Sequence, residues 1–146
     1  MNEQPPYLVG KDAPFALQEA IRSMRTNVLF AMAVSEKKSM VVSGTARAEG
    51  KSTVCANLAQ SLAQADNHVL IIDADMRKPV QHRYFKQRDV IGLSHVLGGF
   101  NAPEQAILQE AQPGLDLLTS GKTPPNPSEL LCSPNMRTLM DYAEAH

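Results

Sequence analysis

An apolar run at Met40-Val41-Val42 leads into a loop from Ser43 to Gly50, and Lys51-Ser52-Thr53 then precede Val54, Cys55, Leu58 and Leu62 at helical spacing. That order reads as a short buried strand, a tight turn and a helix start, and it constrains the fold more than any other stretch of the chain. A strand turning straight into a helix is a unit of α/β sheets. Backbone N–H groups of such a loop, joined to the unpaired N–H groups of a helix N-terminus, form a cradle for an anion. Gly50 lets the backbone approach a phosphate closely, Lys51 can reach β and γ oxygens, and the Ser52 hydroxyl can ligate Mg²⁺. A nucleoside triphosphate is therefore the first ligand to consider, held by Thr45, Ala46, Arg47, Ala48, Glu49, Gly50, Lys51, Ser52 and Thr53. The strict pattern would put glycine at position 45, where this chain has Thr45 and carries Gly44 one place earlier. A strand-to-helix turn with a fortuitous Gly-Lys-Ser is the other reading of the loop taken alone.

Downstream, Asp66-Asn67 marks a turn and Val69-Leu70-Ile71-Ile72 is a continuous apolar run, the pattern of a parallel strand covered on both faces. It ends in Asp73-Ala74-Asp75. In a strand–helix–strand crossover both strand ends open onto one edge of the sheet, so these carboxylates can face the phosphate loop. Phosphoryl transfer has a use for two of them: one to hold Mg²⁺ with Ser52, the other to orient or deprotonate an attacking hydroxyl. The plainer alternative is that Asp73 caps the next turn and Asp75 is solvated.

The rest of the chain supplies helices and one more strand. Leu17, Ile21, Met24, Val28 and Met32 form a helical stripe, with Glu19, Arg22 and Arg25 three apart on its polar side. Those three read either as a surface ion pair with a spare arginine or as a charged contact to another subunit. Arg77, Lys78, His82, Arg83, Lys86 and Arg88 make a basic, irregular stretch, read as a solvated loop or a docking surface. Short helices are predicted over Leu93 to Leu97, closed by Gly98-Gly99, and from Pro103. A third strand is predicted over Leu115 to Leu118 after Pro113-Gly114, and a helix from Pro134 capped by Ser133. A chain of 146 residues with 43% hydrophobic content suits one α/β domain, and a net charge of -1 removes the general electrostatic case for nucleic acid. Two distant cysteines, Cys55 and Cys132, point to free thiols and a cytoplasmic setting, and no apolar segment has the length of a signal peptide or membrane span.

Four pieces in order resemble the bacterial tyrosine kinases of capsule and exopolysaccharide biosynthesis, of the CpsD/CapB type. Glu19-x-x-Arg22-x-x-Arg25 is similar to that family's subunit-contact motif, and Gly44 to Thr53 to its relaxed Walker A. Leu70 to Pro79 resembles its Walker A′, and Gly121-Lys122-Thr123-Pro124-Pro125-Asn126-Pro127-Ser128-Glu129-Leu130-Leu131 its late signature loop. The resemblance implies a P-loop NTPase-type three-layer α/β/α fold with a mostly parallel sheet, after a lead-in over residues 1–14. It implies an ATP- and Mg²⁺-dependent kinase that phosphorylates protein tyrosine, its own tail included. Lys51 would contact phosphates, Ser52 would ligate the metal, and Asp73 and Asp75 would share metal binding and hydroxyl activation. It further implies a ring-like homo-oligomer through Glu19, Arg22 and Arg25. A separate transmembrane activator would recruit the kinase to the inner face of the membrane through its cytoplasmic tail.

The family's Walker B strand and tyrosine-rich tail would follow the last helix, but the sequence stops at His146 and has only Tyr7, Tyr84 and Tyr142. It reads as the first part of a kinase domain, 15–146, incomplete at its C-terminus, with Met40 to Ser43 left as an apolar sheet edge. Two other readings share the fold: a positioning ATPase that hydrolyses ATP as a switch, and a non-catalytic regulatory fragment. The first resembles Lys-Gly-Gly-x-Gly-Lys at the loop, and the lysine it would need is replaced here by Ser43-Gly44-Thr45.

Overall fold

The computed structural model describes residues 8–146; the first half of the lead-in, with Pro5-Pro6 and Tyr7, lies outside the described residues. At the centre is a three-stranded sheet in the order β1-β3-β2. β1 (Val69–Ile72) runs parallel to β3 (Leu115–Leu118), with Val69 opposite Leu115 and Ile72 opposite Leu118. β2 (Leu108–Gln112) lies antiparallel on the other side of β3. It is joined to β3 by Pro113-Gly114, where Gly114 adopts φ +75°. The sheet is thus mixed, one parallel pair with an antiparallel edge.

Alternation along the strands splits the core into two layers. Ile71, Leu115 and Leu117 face Ala56 and Ala59 of α2 (Lys51–Ala63) together with Phe85. Small residues on that face of α2 let the helix lie close to the sheet. Leu118, with Leu70 and Ile72, faces the opposite way. There it meets Leu93, Val96 and Leu97 of α4 (Leu93–Leu97), Ala106 of α5 (Pro103–Ala106) and Leu139 of α7 (Pro134–Ala145). Helices therefore cover both faces, which is the α/β layering that the apolar run of β1 predicts. α6 (Pro127–Leu131) closes this second layer through Leu130 and Leu131.

α1 (Phe15–Ser35) packs outside α2 and has no fully buried residue. Its Leu17, Ile21 and Met24 border an apolar groove against Val54 and Asn57 of α2, and Asn57 Oδ1 accepts the Val9 N–H at 2.6 Å. The helix ends at Glu36, in the left-handed conformation at φ 55°. Among the described residues, no helix is long and apolar enough to cross a membrane.

The predicted strand over Met40 to Ser43 is not formed. This stretch has no regular secondary structure and makes no backbone–backbone hydrogen bond among the described residues, and Val41 is 89% exposed. A strand exists only through a neighbour's N–H and C=O groups, and no described strand lies beside this one. Its unpaired backbone and exposed Met40 and Val41 side chains are open to pairing with another chain. Replacing Val41 with lysine should accordingly lower self-association at high protein concentration, as read by light scattering. An unchanged scattering profile would show that the edge is not adhesive.

Both cysteines are free. Burial pushes the Cys55 thiol above its usual range, and the nearby Asp73 charge adds to the effect. Cys132 is exposed. The thiolate is the reactive form, so limiting iodoacetamide at neutral pH should label Cys132 first, as peptide mass spectrometry would record. Preferential labelling of Cys55 would contradict this assignment.

Candidate nucleotide-binding site

The loop between Gly44 and Lys51 folds back on itself through two left-handed residues, Ala48 at φ 60° and Gly50 at φ 84°. Glycine adopts that conformation at no steric cost, and an alanine there is uncommon. The turn is fastened by Glu49, whose carboxylate accepts the Thr45 N–H at 2.8 Å and the Thr45 hydroxyl at 3.0 Å. The Ala46 N–H, the Thr45 hydroxyl and N–H and the Lys51 charge together hold this carboxyl below its ordinary range. A Cβ on Gly44 would collide with Glu49 Oε2. Thr45, at the position where the strict motif has glycine, supplies both donors to Glu49, and Gly44 leaves the carboxylate its present place. Residues Thr45 to Gly50, with Arg47 between them, are all exposed, so the whole loop is open to a ligand.

Lys51 begins α2, and its Nζ lies 3.9 Å from Asp75 Oδ2, both side chains being about one-third exposed. The phosphate loop and the end of β1 thus converge at one place. The two carboxylates there have different surroundings. Asp73 is 5% exposed and accepts three backbone N–H bonds, from Asp75 at 3.2 Å, Val80 at 3.1 Å and Gln81 at 3.0 Å. Burial raises its carboxyl above the usual range, opposed by those three donors, with the Asp75 charge adding to the rise. Asp75 accepts the Lys78 N–H through Oδ1 at 3.1 Å, leaving Oδ2 toward Lys51. Asp73 therefore does fasten the following turn, the plainer of its two sequence readings, and it does so from inside the candidate site.

Two residues not singled out from the sequence also join this site. Gln81 opens α3 (Gln81–Tyr84) and donates its Nε2–H to the Ser52 carbonyl at 3.1 Å, while the Tyr84 and Thr53 hydroxyls share a hydrogen bond of 2.6 Å. Their only sequence signal is position, one and four residues beyond the Walker A′ stretch plus Val80. Glu19 and Arg22 of α1 pair with each other at 2.6 Å on the exposed surface. Arg25 points to a different partner, donating to the Ser61 carbonyl at 3.1 Å and the Ser61 hydroxyl at 3.2 Å, and so ties α1 to α2. The late signature loop begins at Gly121, whose N–H donates to Asp89 Oδ1 at 2.6 Å, and ends in α6. Arg77, Lys78, Arg83, Lys86 and Arg88 are exposed.

Among the described residues no three His, Cys, Asp or Glu side chains gather as a metal-binding cluster. The donors present are oxygens: the Ser52 hydroxyl and Asp75 Oδ2, which faces Lys51. Such a set fits Mg²⁺, which takes one or two protein oxygens and completes its shell with phosphate and water.

A phosphate-type loop at a helix start beside an acidic strand end, on an α/β sheet, is the arrangement of a nucleotide-binding domain. Residues 40–138 match the CobQ/CobB/MinD/ParA nucleotide binding domain, and the chain belongs to that family. Within it, the similar proteins are bacterial tyrosine kinases. Tyrosine-protein kinase YwqD of Bacillus subtilis is 45% identical over 121 residues, spanning 83% of this chain and 51% of that protein. Tyrosine-protein kinase etk of Escherichia coli K12 is 37% identical over 141 residues, spanning 97% of this chain and 19% of that protein. Among solved structures, the kinase domain of Escherichia coli tyrosine kinase ETK superposes with a TM-score of 0.83 at 39% identity, over 88% of this chain and 50% of that one. The chimerical protein CapA2B2 gives 0.79 at 33% identity, over 97% of this chain and 65% of that one. The chain thus spans between a fifth and about half of the curated relatives named.

Proposed function

We propose that this chain is the nucleotide-binding part of an ATP-dependent protein tyrosine kinase, autophosphorylating and acting in capsule or exopolysaccharide biosynthesis. The observation that carries the reading is the convergence of Lys51 and Asp75, 3.9 Å apart, at the meeting of the phosphate loop and the β1 end. Phosphoryl transfer needs cationic and N–H donors on one side of the γ-phosphate and carboxylates on the other. Lys51 and the backbone of Thr45 to Thr53 would bind the phosphates. Ser52 and Asp75 would hold Mg²⁺, which when bound neutralises phosphate charge and orients the transferred group. Asp73, held by three N–H donors, fixes the turn that presents Asp75, and one of the pair would take the proton from the attacking tyrosine hydroxyl.

The motif of Glu19, Arg22 and Arg25 supports assembly of copies into a ring. Since Arg25 is engaged with Ser61, Glu19 and Arg22 are the exposed members for that contact. Similarity to the chimerical protein CapA2B2 supports a partner chain, proposed as the cytoplasmic tail of a transmembrane activator that recruits this chain to the inner face of the membrane.

The decisive test incubates the protein with labelled ATP, Mg²⁺ and the activator tail. Protein-bound phosphotyrosine supports the kinase. Phosphate released only to water would instead favour the positioning ATPase, and no turnover despite tight ATP binding would favour a regulatory role.

A further inference from the structure

Gln81 is 5% exposed and connects Ser52, one of the groups assigned to the cation, with Asp73, whose turn presents the other, Asp75. Its backbone N–H donates to Asp73 Oδ2 at 3.0 Å, and its side-chain amide donates to the carbonyl of Ser52 at 3.1 Å. One residue therefore sets the spacing between the first turn of the phosphate helix and the carboxylate at the end of β1. The amide is an uneconomical choice for mere packing. Its Oε1 is buried with no hydrogen-bond partner among the described residues, and a buried acceptor without a partner destabilises the fold. An unbranched apolar side chain of similar length would fill the same space without that loss.

We infer that Gln81 is a positioning residue for the divalent cation of the nucleotide site, holding Ser52 and Asp73 in the register in which Ser52 and Asp75 ligate together. The inference rests on the nucleotide reading above. It extends the site to a side chain outside both motifs, and gives the orphaned amide a role that packing does not. Groups that orient metal ligands without binding the metal typically change its affinity by about 10- to 100-fold when removed.

The test compares parent, Gln81→Met and Gln81→Asn by calorimetry with ATP, first in EDTA and then with Mn²⁺ as the spectroscopic stand-in. Manganese binding is read independently by electron paramagnetic resonance, and melting temperatures are recorded for all three. Methionine keeps the length and removes both polar atoms; asparagine keeps the amide but falls one methylene short of Ser52. The expected result is a loss of about tenfold or more in Mn²⁺ affinity for both variants. ATP binding in EDTA should stay within twofold of parent, and Gln81→Met should melt no lower than parent. That opposition of signs is what a purely structural glutamine would not give. Unchanged Mn²⁺ affinity in both variants would overturn the inference, as would an equal fall of ATP binding in EDTA. A parent that binds ATP in neither condition would overturn the nucleotide reading itself, an outcome separable from the other two.

Discussion

Lys51→Met should abolish phosphotyrosine formation and weaken ATP binding on the order of 100-fold, about 2.7 kcal/mol, while leaving the fold in place. The size of the effect follows from where the ammonium sits. It stands at the first residue of α2, where the loop's N–H donors and the helix dipole already favour an anion, and it is the side-chain cation of the loop nearest Asp75. Methionine retains the stem and removes only the charge and its donors. The structural effect is small because Lys51 is about one-third exposed and its contact with Asp75, at 3.9 Å, is long. Half-exposed pairs of this kind contribute only ~0–1 kcal/mol, so the melting temperature should stay within a few degrees. Calorimetry with ATP and blotting for phosphotyrosine read the two quantities separately. Full ATP affinity in the variant would remove the phosphate site from this loop.

How far the sequence discloses this arrangement depends on whether the residues in question answer to local or to long-range rules. Val69–Ile72 is legible because burial on both faces demands uninterrupted apolar residues, and Leu115–Leu118 because three leucines, broken only by Asp116, follow the Pro113-Gly114 turn. Leu93–Leu97 and Pro134–Ala145 are legible because glycine and proline punctuate them. β2 escapes that logic. Leu108-Gln-Glu-Ala-Gln112 is polar along an edge, and its pairing to β3 is made by the Pro113-Gly114 turn and by the Glu110 N–H bound to Asp116 Oδ1 at 2.8 Å, which no periodicity announces. Met40 to Ser43 shows the converse: an apolar run states a preference for a sheet, but a neighbour must satisfy it.

The candidate site divides in the same way. Lys51, Ser52, Asp73 and Asp75 stand in the sequence as a motif and as a strand end, so their proximity follows from crossover topology. Their division of labour does not. Asp73 and Asp75 are two residues apart, and only the three N–H groups of Asp75, Val80 and Gln81 converging on Asp73 separate a buried, turn-fastening carboxylate from a half-exposed one. Gln81 and Arg25 were likewise beyond local reading, because the atoms they bind, in Ser52 and Ser61, lie 29 and 36 residues away.

Gly92→Ala should be the most damaging glycine-to-alanine change in the chain, destabilising the fold by about 3 kcal/mol or more. Gly92 has extended backbone, φ -156°, so conformational freedom is not what it provides. It provides space. A Cβ there would overlap the Thr119 carbonyl oxygen and the Gly121 nitrogen, and would sit 2.7 Å from the Ser120 carbonyl carbon. All three are backbone atoms at the end of β3, and none can swing aside as a side chain would. The same close approach allows Leu93 N–H to donate to the Thr119 carbonyl at 2.7 Å and Ser94 N–H to the Ser120 carbonyl at 3.0 Å. To admit a methyl group the two segments must part, which strips those bonds from buried groups and lifts Leu93, Val96 and Leu97 from the core. For a chain of this length the melting temperature should fall by roughly 6–12 °C. Gly10→Ala is the matched control, because a Cβ there meets nothing within 4 Å. Thermal and urea melts of the two variants beside the parent decide the matter. Equal stability of all three would mean that the contact between residues 92–94 and the end of β3 is not what fixes α4 to the sheet.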